Sequence, residues 1–273
     1  MTEMLSPDLQ LISAFLPGSD RESLQRLHAL VGEIRHGVFS VSDESLARVK
    51  LAWWRDELSR LLDGQGQHPA SQALISAQPE APSRLDGGEL GEILEGLLMR
   101  LEGRGYNDAD ELLLHAWRDQ GALAVCSARL AGAVHDDTLA AARDLGLAHA
   151  LAGTVSDFEN ERRQGRIWIP LDWQREAETS PESILRSAPD TATMERLLTP
   201  VLAMAEERFA AAAKPCPQRA SLRGPALLAA LAMQDARRCQ GKRWQARQRS
   251  GLATLFRAWR AARQELRLEQ QPD

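Results

Sequence analysis

The chain has 273 residues, 44% of them hydrophobic and 26% charged, with a formal net charge of −5. That balance excludes a disordered chain and a basic nucleic-acid binder, and it suffices to bury a substantial core. No Ser/Gly-rich linker divides it, so residues 1–273 read as one domain.

The opening segment, MTEMLSPDLQ, has no basic stretch followed by an apolar run, and nowhere do about 18 uncharged apolar residues follow one another as a membrane span requires. At most a peripheral membrane contact is expected. The period turns helical at Asp20: Ser19 and Glu22 read as a capping box, and Leu24, Leu27, Val31 and Ile34 fall on one face. DESLARVKLAWWRDELSRLLDG repeats the pattern, with Ser42 as the expected N-cap and Gly64 as the stop. The adjacent Trp53 and Trp54 point about 100° apart on a helix, so one belongs in the core and the other at a rim.

Further helices are expected over 69–77, 88–103, 108–132, 137–164, 181–187, 191–213, 221–240 and 250–268, with Ser180-Pro181 opening the one at 181. AQPEAPSRLDGGE, residues 77–89, reads as a loop. Strand-like alternation is confined to RIWIP, too short for a sheet. The fold class is therefore all-α.

Charge is unevenly placed. From Lys214 onward there are thirteen Lys/Arg against four Asp/Glu, a net of +9 that leaves −14 for the preceding residues. A solvated basic surface is the expectation there; nucleic acid is not favoured as a partner. Cys126, Cys216 and Cys239 are far apart and form no C-x-x-C, which implies neither a disulfide framework nor a zinc site and suits a reducing, cytoplasmic setting. No His-x-x-x-His pair occurs among the six histidines, and neither Ser127 nor Ser156 sits in a glycine elbow, so no nucleophile or zinc centre stands out and the catalytic residues are unknown.

The stretch with chemical content is GTVSDFENERRQGRIWIP, residues 153–170. Asp157 and Glu161 lie one helical turn apart, where like charges repel by about 0.2–0.5 kcal/mol if exposed. Glu159 has Arg162 and Arg163 at three and four residues on, but no cation occupies that spacing from Asp157 or Glu161. Their counter-charge must come from outside this helix: a divalent cation, a cationic side chain on another helix, or water.

The segment resembles the second aspartate-rich motif of the squalene/phytoene synthase family, carried here by Asp157, Glu161, Gly165, Arg166 and Pro170, with LGLAHALAGTVSD as the small-residue helix leading into it. RVKLAWWRDELSRLLDGQGQHPA is similar to the family's Trp-x-x-Glu-Leu helix ending in His-Pro, through Trp54, Glu57, Leu58, His68 and Pro69. YNDADELLLHAWRDQGALAVCSARLAG resembles its cavity-lining helix. The resemblance implies a single-domain isoprenoid-synthase-type helical bundle around a central cavity able to hold a prenyl or other lipid chain. If the chain is active, it implies Mg²⁺ at Asp157 and Glu161, with Arg166 and Arg35 on a substrate diphosphate.

The first aspartate-rich motif of that family has no counterpart. LHALVGEIRHGVFS places Arg35 and His36 about where its leading aspartates belong and Phe39 where another should stand, and Gly153 and Ser156 replace the usual asparagine and arginine. The chain is thus most similar to the branch of catalytically silent relatives that includes a respiratory complex I assembly factor, with a protein partner as an implied alternative to a lipid and no cofactor required. We expect Arg35, helped by His36, to cross the old cavity and pair with Asp157 or Glu161. That cavity is either open and lined by small residues or plugged by bulky ones such as Phe39, Leu30 and Trp117; for Trp168 and Trp173 plain packing is favoured over a place at its mouth.

Overall fold

Among the described residues the chain is helical with no strand, as its apolar spacing demands. The computed structural model describes residues 6–103, 105–242, 244 and 251–270.

Helix α1 (Pro7–Ser13) is capped by Ser6. Helix α2 (Gly18–Phe39) starts ahead of the expected capping box: its N-cap is Pro17, without a side-chain bond, and the Ser19 hydroxyl turns to Asp20 instead. Helix α3 (Glu44–Leu62) is capped by Asp43 rather than Ser42; its carboxylate accepts from the Ser45 and Leu46 N–H groups at 2.8 and 3.2 Å. A carboxylate there also meets the positive end of the helix dipole, which a serine cannot exploit. Gly64, at φ +73°, ends that helix as expected.

Helix α4 spans Pro69–Ala77, the short α5 (Ala81–Arg84) lies inside the stretch read as loop, and α6 covers Gly87–Glu102. The long helix expected over 108–132 comprises α7 (Ala109–Ala116), a π-helical turn (Trp117–Gly121) and α8 (Ala122–Leu130). The helix expected over 137–164 divides at Asp157 into α9 (Asp136–Ser156) and α10 (Phe158–Arg163). Helices α11 (Leu171–Glu176), α12 (Pro181–Arg186) and α13 (Thr191–Ala211) follow. Helix α13 runs through Pro200, held by buried Leu197, Leu198, Val201 and Leu202 on either side. A 3₁₀ turn (Arg219–Leu222), α14 (Arg223–Gly241) and α15 (Gly251–Glu269) complete the chain.

Helix α9 is central, packing on α13, α14 and α8. One apolar cluster gathers residues of α2, α3, α4, α6 and α8, and another those of α7, α9, α13 and α14. Trp117 of the π turn packs against both and against a third cluster built on Leu145 and Leu222. It is therefore a wedge between packing units rather than a cavity plug. Two glycines let the π turn sit so deep. A Cβ on Gly146 would lie 2.4 Å from the Gln120 carbonyl oxygen, and one on Gly96 would lie 2.8 Å from that of Arg118. Backbone thus meets backbone at both neighbours, which only glycine permits.

Candidate functional site

The resembling Trp-x-x-Glu-Leu segment proves to be structural. Trp54 is buried and Trp53 is exposed, their rings 5.0 Å apart and edge-on, as expected of one core and one rim residue. Glu57 is fully buried, and its Oε1 accepts from the N–H groups of Gln67 and His68 at 2.8 and 2.7 Å while Oε2 accepts from Arg60 at 3.1 Å. Burial works to raise its pKa, but these bonds outweigh it and hold the carboxyl below the ordinary carboxylate value. His68 then accepts from the Ala70 N–H through Nδ1, capping α4 just before Pro69. The motif therefore ties α3 to the turn before α4.

Asp157 and Glu161 do line one cavity, of about 160 Å³. The chain bends between them: Asp157 has φ −100° and ψ 2°, yet the bonds Asp157 N to Gly153 O and Glu161 N to Asp157 O, both 2.9 Å, carry the ladder across. Asp157 is exposed, whereas the side chain of Glu161 is only 15% exposed. After α10 the chain turns through Gly165 at φ +80°. Gly165 N donates to Arg162 O and Arg166 N donates to Glu161 O, at 3.0 and 2.9 Å, so the orphan carbonyls of the helix end are answered by the exit itself.

This turn brings Arg166 back onto Glu161. Glu161 Oε1 accepts from Arg100 at 2.9 Å; Oε2 accepts from Arg166 at 2.5 Å and from Trp168 Nε1 at 2.9 Å. Burial would raise the Glu161 pKa, but the hydrogen bonds from Arg166 and Trp168 and the charge of Arg100 hold it below the ordinary value. The expected local pairing of Glu159 is present, with Arg162 at 2.8 Å and Arg163 at 2.9 Å.

Arg35 takes a different partner from the one expected. Its Nη2 donates to Asp119 Oδ1 at 2.7 Å, and the cations bonded to Glu161 are Arg100 and Arg166. The physical reason is the π turn, which carries Asp119 toward α2. A π turn shifts side-chain phase relative to an α-helix, and such turns gather at functional sites. Burial opposes ionisation of Asp119, but the charge of Arg35 outweighs it and the carboxyl stays below the ordinary range. His36 and Phe39 are exposed, Leu30 is buried in the core of the first cluster, and none of the three lines the cavity.

The rest of the wall mixes polar side chains with the apolar Leu112, Ala116 and Ala150. His115, Gln120 and His149 line it, and Trp168 covers one side, stacking 5.5 Å from the His115 ring and 5.7 Å from Tyr106. Trp173 is packed against the second cluster. Burial pulls His115 below the ordinary histidine pKa, and burial with the charges of Arg35 and His149 pulls His28, on α2, down to about 3. Among the described residues, the buried Tyr106 hydroxyl and His115 Nδ1 have no hydrogen-bond partner. No three of His, Cys, Asp and Glu among the described residues come together as a metal centre would require. Ser127 and Ser156 donate back to the Leu123 and Gly153 carbonyls of their own helices.

Arg100 and Asp119 were not singled out in the sequence. One signal was present for Asp119: Arg118-Asp119-Gln120 interrupts an otherwise apolar run between Leu112 and Val125. Nothing local marked Arg100, which reaches Glu161 across 61 residues.

The bundle and its carboxylate-bearing cavity define the class as the all-α isoprenoid-synthase fold. A crystal structure of a dehydrosqualene synthase in complex with ligand superposes with a TM-score of 0.81 at 14% identity, over 97% of this chain and 92% of that one. Squalene synthase from Alicyclobacillus acidocaldarius superposes with a TM-score of 0.74 at 15% identity, over 87% of this chain and 89% of that one.

The chain belongs to the squalene/phytoene synthase family, whose model matches residues 5–261. Phytoene synthase of Rhodobacter capsulatus is 27% identical over 72% of this chain, and 15-cis-phytoene synthase of a Paracoccus species is 35% identical over 32% of it. The matched stretches span 58% and 28% of those relatives' own lengths. Among the described residues no helix is long and apolar enough to cross a membrane.

Proposed function

We propose that this protein is a non-catalytic or altered-activity member of the squalene/phytoene synthase family, acting in prenyl or lipid binding or in assembly with a protein partner. The observation that carries this reading is the state of Glu161, whose two oxygens together accept three hydrogen bonds from Arg100, Arg166 and Trp168. Mg²⁺ takes near-octahedral oxygen ligation from carboxylates, water and substrate phosphate. A carboxylate already neutralised by two guanidinium groups does not fit that role, and Arg35, which stands about where a leading aspartate of the first motif belongs, pairs with Asp119 of the π turn.

Cavity size argues against the transferase and, within this reading, favours assembly with a protein partner over a lipid held in this cavity. About 160 Å³ falls below the roughly 300–1,000 Å³ of ordinary small-molecule pockets, let alone two prenyl chains. Neutralising the charge that departs from two diphosphates needs several cations fixed in place, and this cavity holds Asp119 and Glu161 in ion pairs instead. The missing first aspartate-rich motif and the kept Trp-x-x-Glu-Leu helix support, on this reading, kinship with the silent branch that includes a respiratory complex I assembly factor.

The alternative is a Mg²⁺-dependent prenyl-diphosphate transferase. It is favoured by the similarity to phytoene synthases and by the placement of Arg100 and Arg166 beside the cavity, where guanidinium groups could hold a diphosphate. Incubation with farnesyl or geranylgeranyl diphosphate and Mg²⁺ separates the two. The expected result is no diphosphate release and no rise in melting temperature on adding Mg²⁺ with a diphosphate analogue. Metal-dependent release would establish the transferase.

A further inference from the structure

A second groove lies away from this cavity and shares no residue with its wall. It measures about 910 Å³ and runs between the C-terminal half of α14 and the outer face of α15. Among the described residues six arginines line it, Arg237, Arg238, Arg257, Arg260, Arg263 and Arg267, and no carboxylate does.

The arginines differ in what they do. Arg257 faces inward and pairs with Asp235; with the ion pairs Arg219–Glu265 (2.7 Å) and Arg223–Glu269 it fastens the inner face of α15 to the body. Arg260, Arg263 and Arg267 are exposed on the outer face, and Arg263 lies over the Trp259 ring at 4.9 Å. On that same face Leu255, Phe256, Trp259 and Leu266 are also exposed, Phe256 by 58%. Helical spacing of three and four residues places these apolar side chains and the cations in adjoining stripes.

We propose that the outer face of α15 is a docking surface for an anionic lipid bilayer, with phosphate headgroups in the arginine groove and the Phe256–Trp259 pair in the interfacial layer. Charge complementarity selects the partner: Arg237 is held by Glu206 and Arg257 by Asp235, but the exposed guanidinium groups of Arg260, Arg263 and Arg267 form a row that matches a plane of lipid phosphates. The aromatic side chains select a bilayer over a nucleic acid. The Phe256 and Trp259 rings stack on each other at 5.5 Å, and Arg263 lies over the tryptophan. Ring faces so occupied are poor platforms for bases. The exposed leucines beside them have nothing to contact on a phosphate backbone, but they gain from entering the boundary between headgroups and acyl chains.

Co-sedimentation of the full chain with vesicles tests this. Binding is expected to vesicles of phosphatidylcholine mixed with phosphatidylglycerol and not to phosphatidylcholine alone, weakening as salt rises. Arg260→Gln with Arg263→Gln should weaken it by about thirtyfold, since each basic residue near an anionic surface contributes about fivefold. Phe256→Ser with Trp259→Ser should weaken binding to the mixed vesicles and leave the remainder more sensitive to salt. Thermal melts of the variants check folding, and the salt titration of the unaltered chain decides the matter if a variant fails to fold.

Equal binding to neutral vesicles, absence of vesicle binding, or indifference to both pairs of substitutions would overturn the proposal. So would tighter binding to duplex DNA than to the mixed vesicles at the same salt.

Discussion

Glu57 is the side chain whose loss should be felt most. Glu57→Ala removes the buried acceptor of the Gln67 and His68 N–H groups and of Arg60, and a donor left unsatisfied away from water costs about 1–3 kcal/mol, so a loss of about 3 kcal/mol is expected in a denaturant titration. Glu57→Gln keeps one acceptor oxygen and should cost about 1 kcal/mol. Glu161 offers a sharper test of function. A carboxylate held ready for a metal is crowded by its own kind, and removing it commonly leaves stability unchanged or improves it. Here Glu161→Ala abandons Arg100, Arg166 and Trp168 together, and a loss of about 2 kcal/mol is expected. A stabilised Glu161→Ala protein would favour the metal-binding reading.

Among the helices, the π turn between α7 and α8 governs the site because it determines where Asp119 points. Its depth depends on Gly146 of α9, whose absent Cβ leaves room for the Gln120 carbonyl. Gly146→Ala should therefore cost about 3 kcal/mol or displace the turn, since overpacking a rigid backbone contact has no flexible side chain to absorb it. Gly153, seven residues further along the same helix, has nothing within 4 Å of where a Cβ would stand. Gly153→Ala should be neutral or stabilise by up to about 1 kcal/mol through helix propensity. Measured together by thermal melts, the two substitutions separate a packing glycine from a dispensable one on a single helix.

Across the whole molecule the buried ionisable groups predict an acid-labile protein. His28 has its pKa depressed to about 3, so between the ordinary value near 6.5 and that point the unfolded chain takes up a proton and the folded chain does not. Stability from this source is complete above pH 6.5 and falls as pH drops, by up to about 1.4 kcal/mol per unit. His115 acts in the same direction, as do Glu57, Asp119 and Glu161 once the pH approaches the ordinary carboxylate range. Glu89 and Glu265, whose pKa values are raised chiefly by burial, offset part of the carboxylate effect. Stability measured from pH 7 to 4 should decline throughout, and His28→Gln should flatten the upper part of that decline. A profile unchanged by His28→Gln would place the group in solvent.

Much of this was legible in the chain. The helical period, the stop at Gly64, the opening at Ser180-Pro181 and the pairing of Glu159 with its two arginines rest on contacts within a few residues, so local spacing is enough to infer them. Caps and short helices were less legible, as at Asp43 and α11, because neighbouring polar residues compete for the same backbone donors. The choice of ion partners between helices was not legible at all. Arg35 with Asp119 and Arg100 with Glu161 join positions 84 and 61 residues apart, across helices whose relative depth depends on glycine contacts. Like charges one turn apart announce that a cation must come; which cation comes depends on how closely the helices approach, and that is a matter of packing in three dimensions.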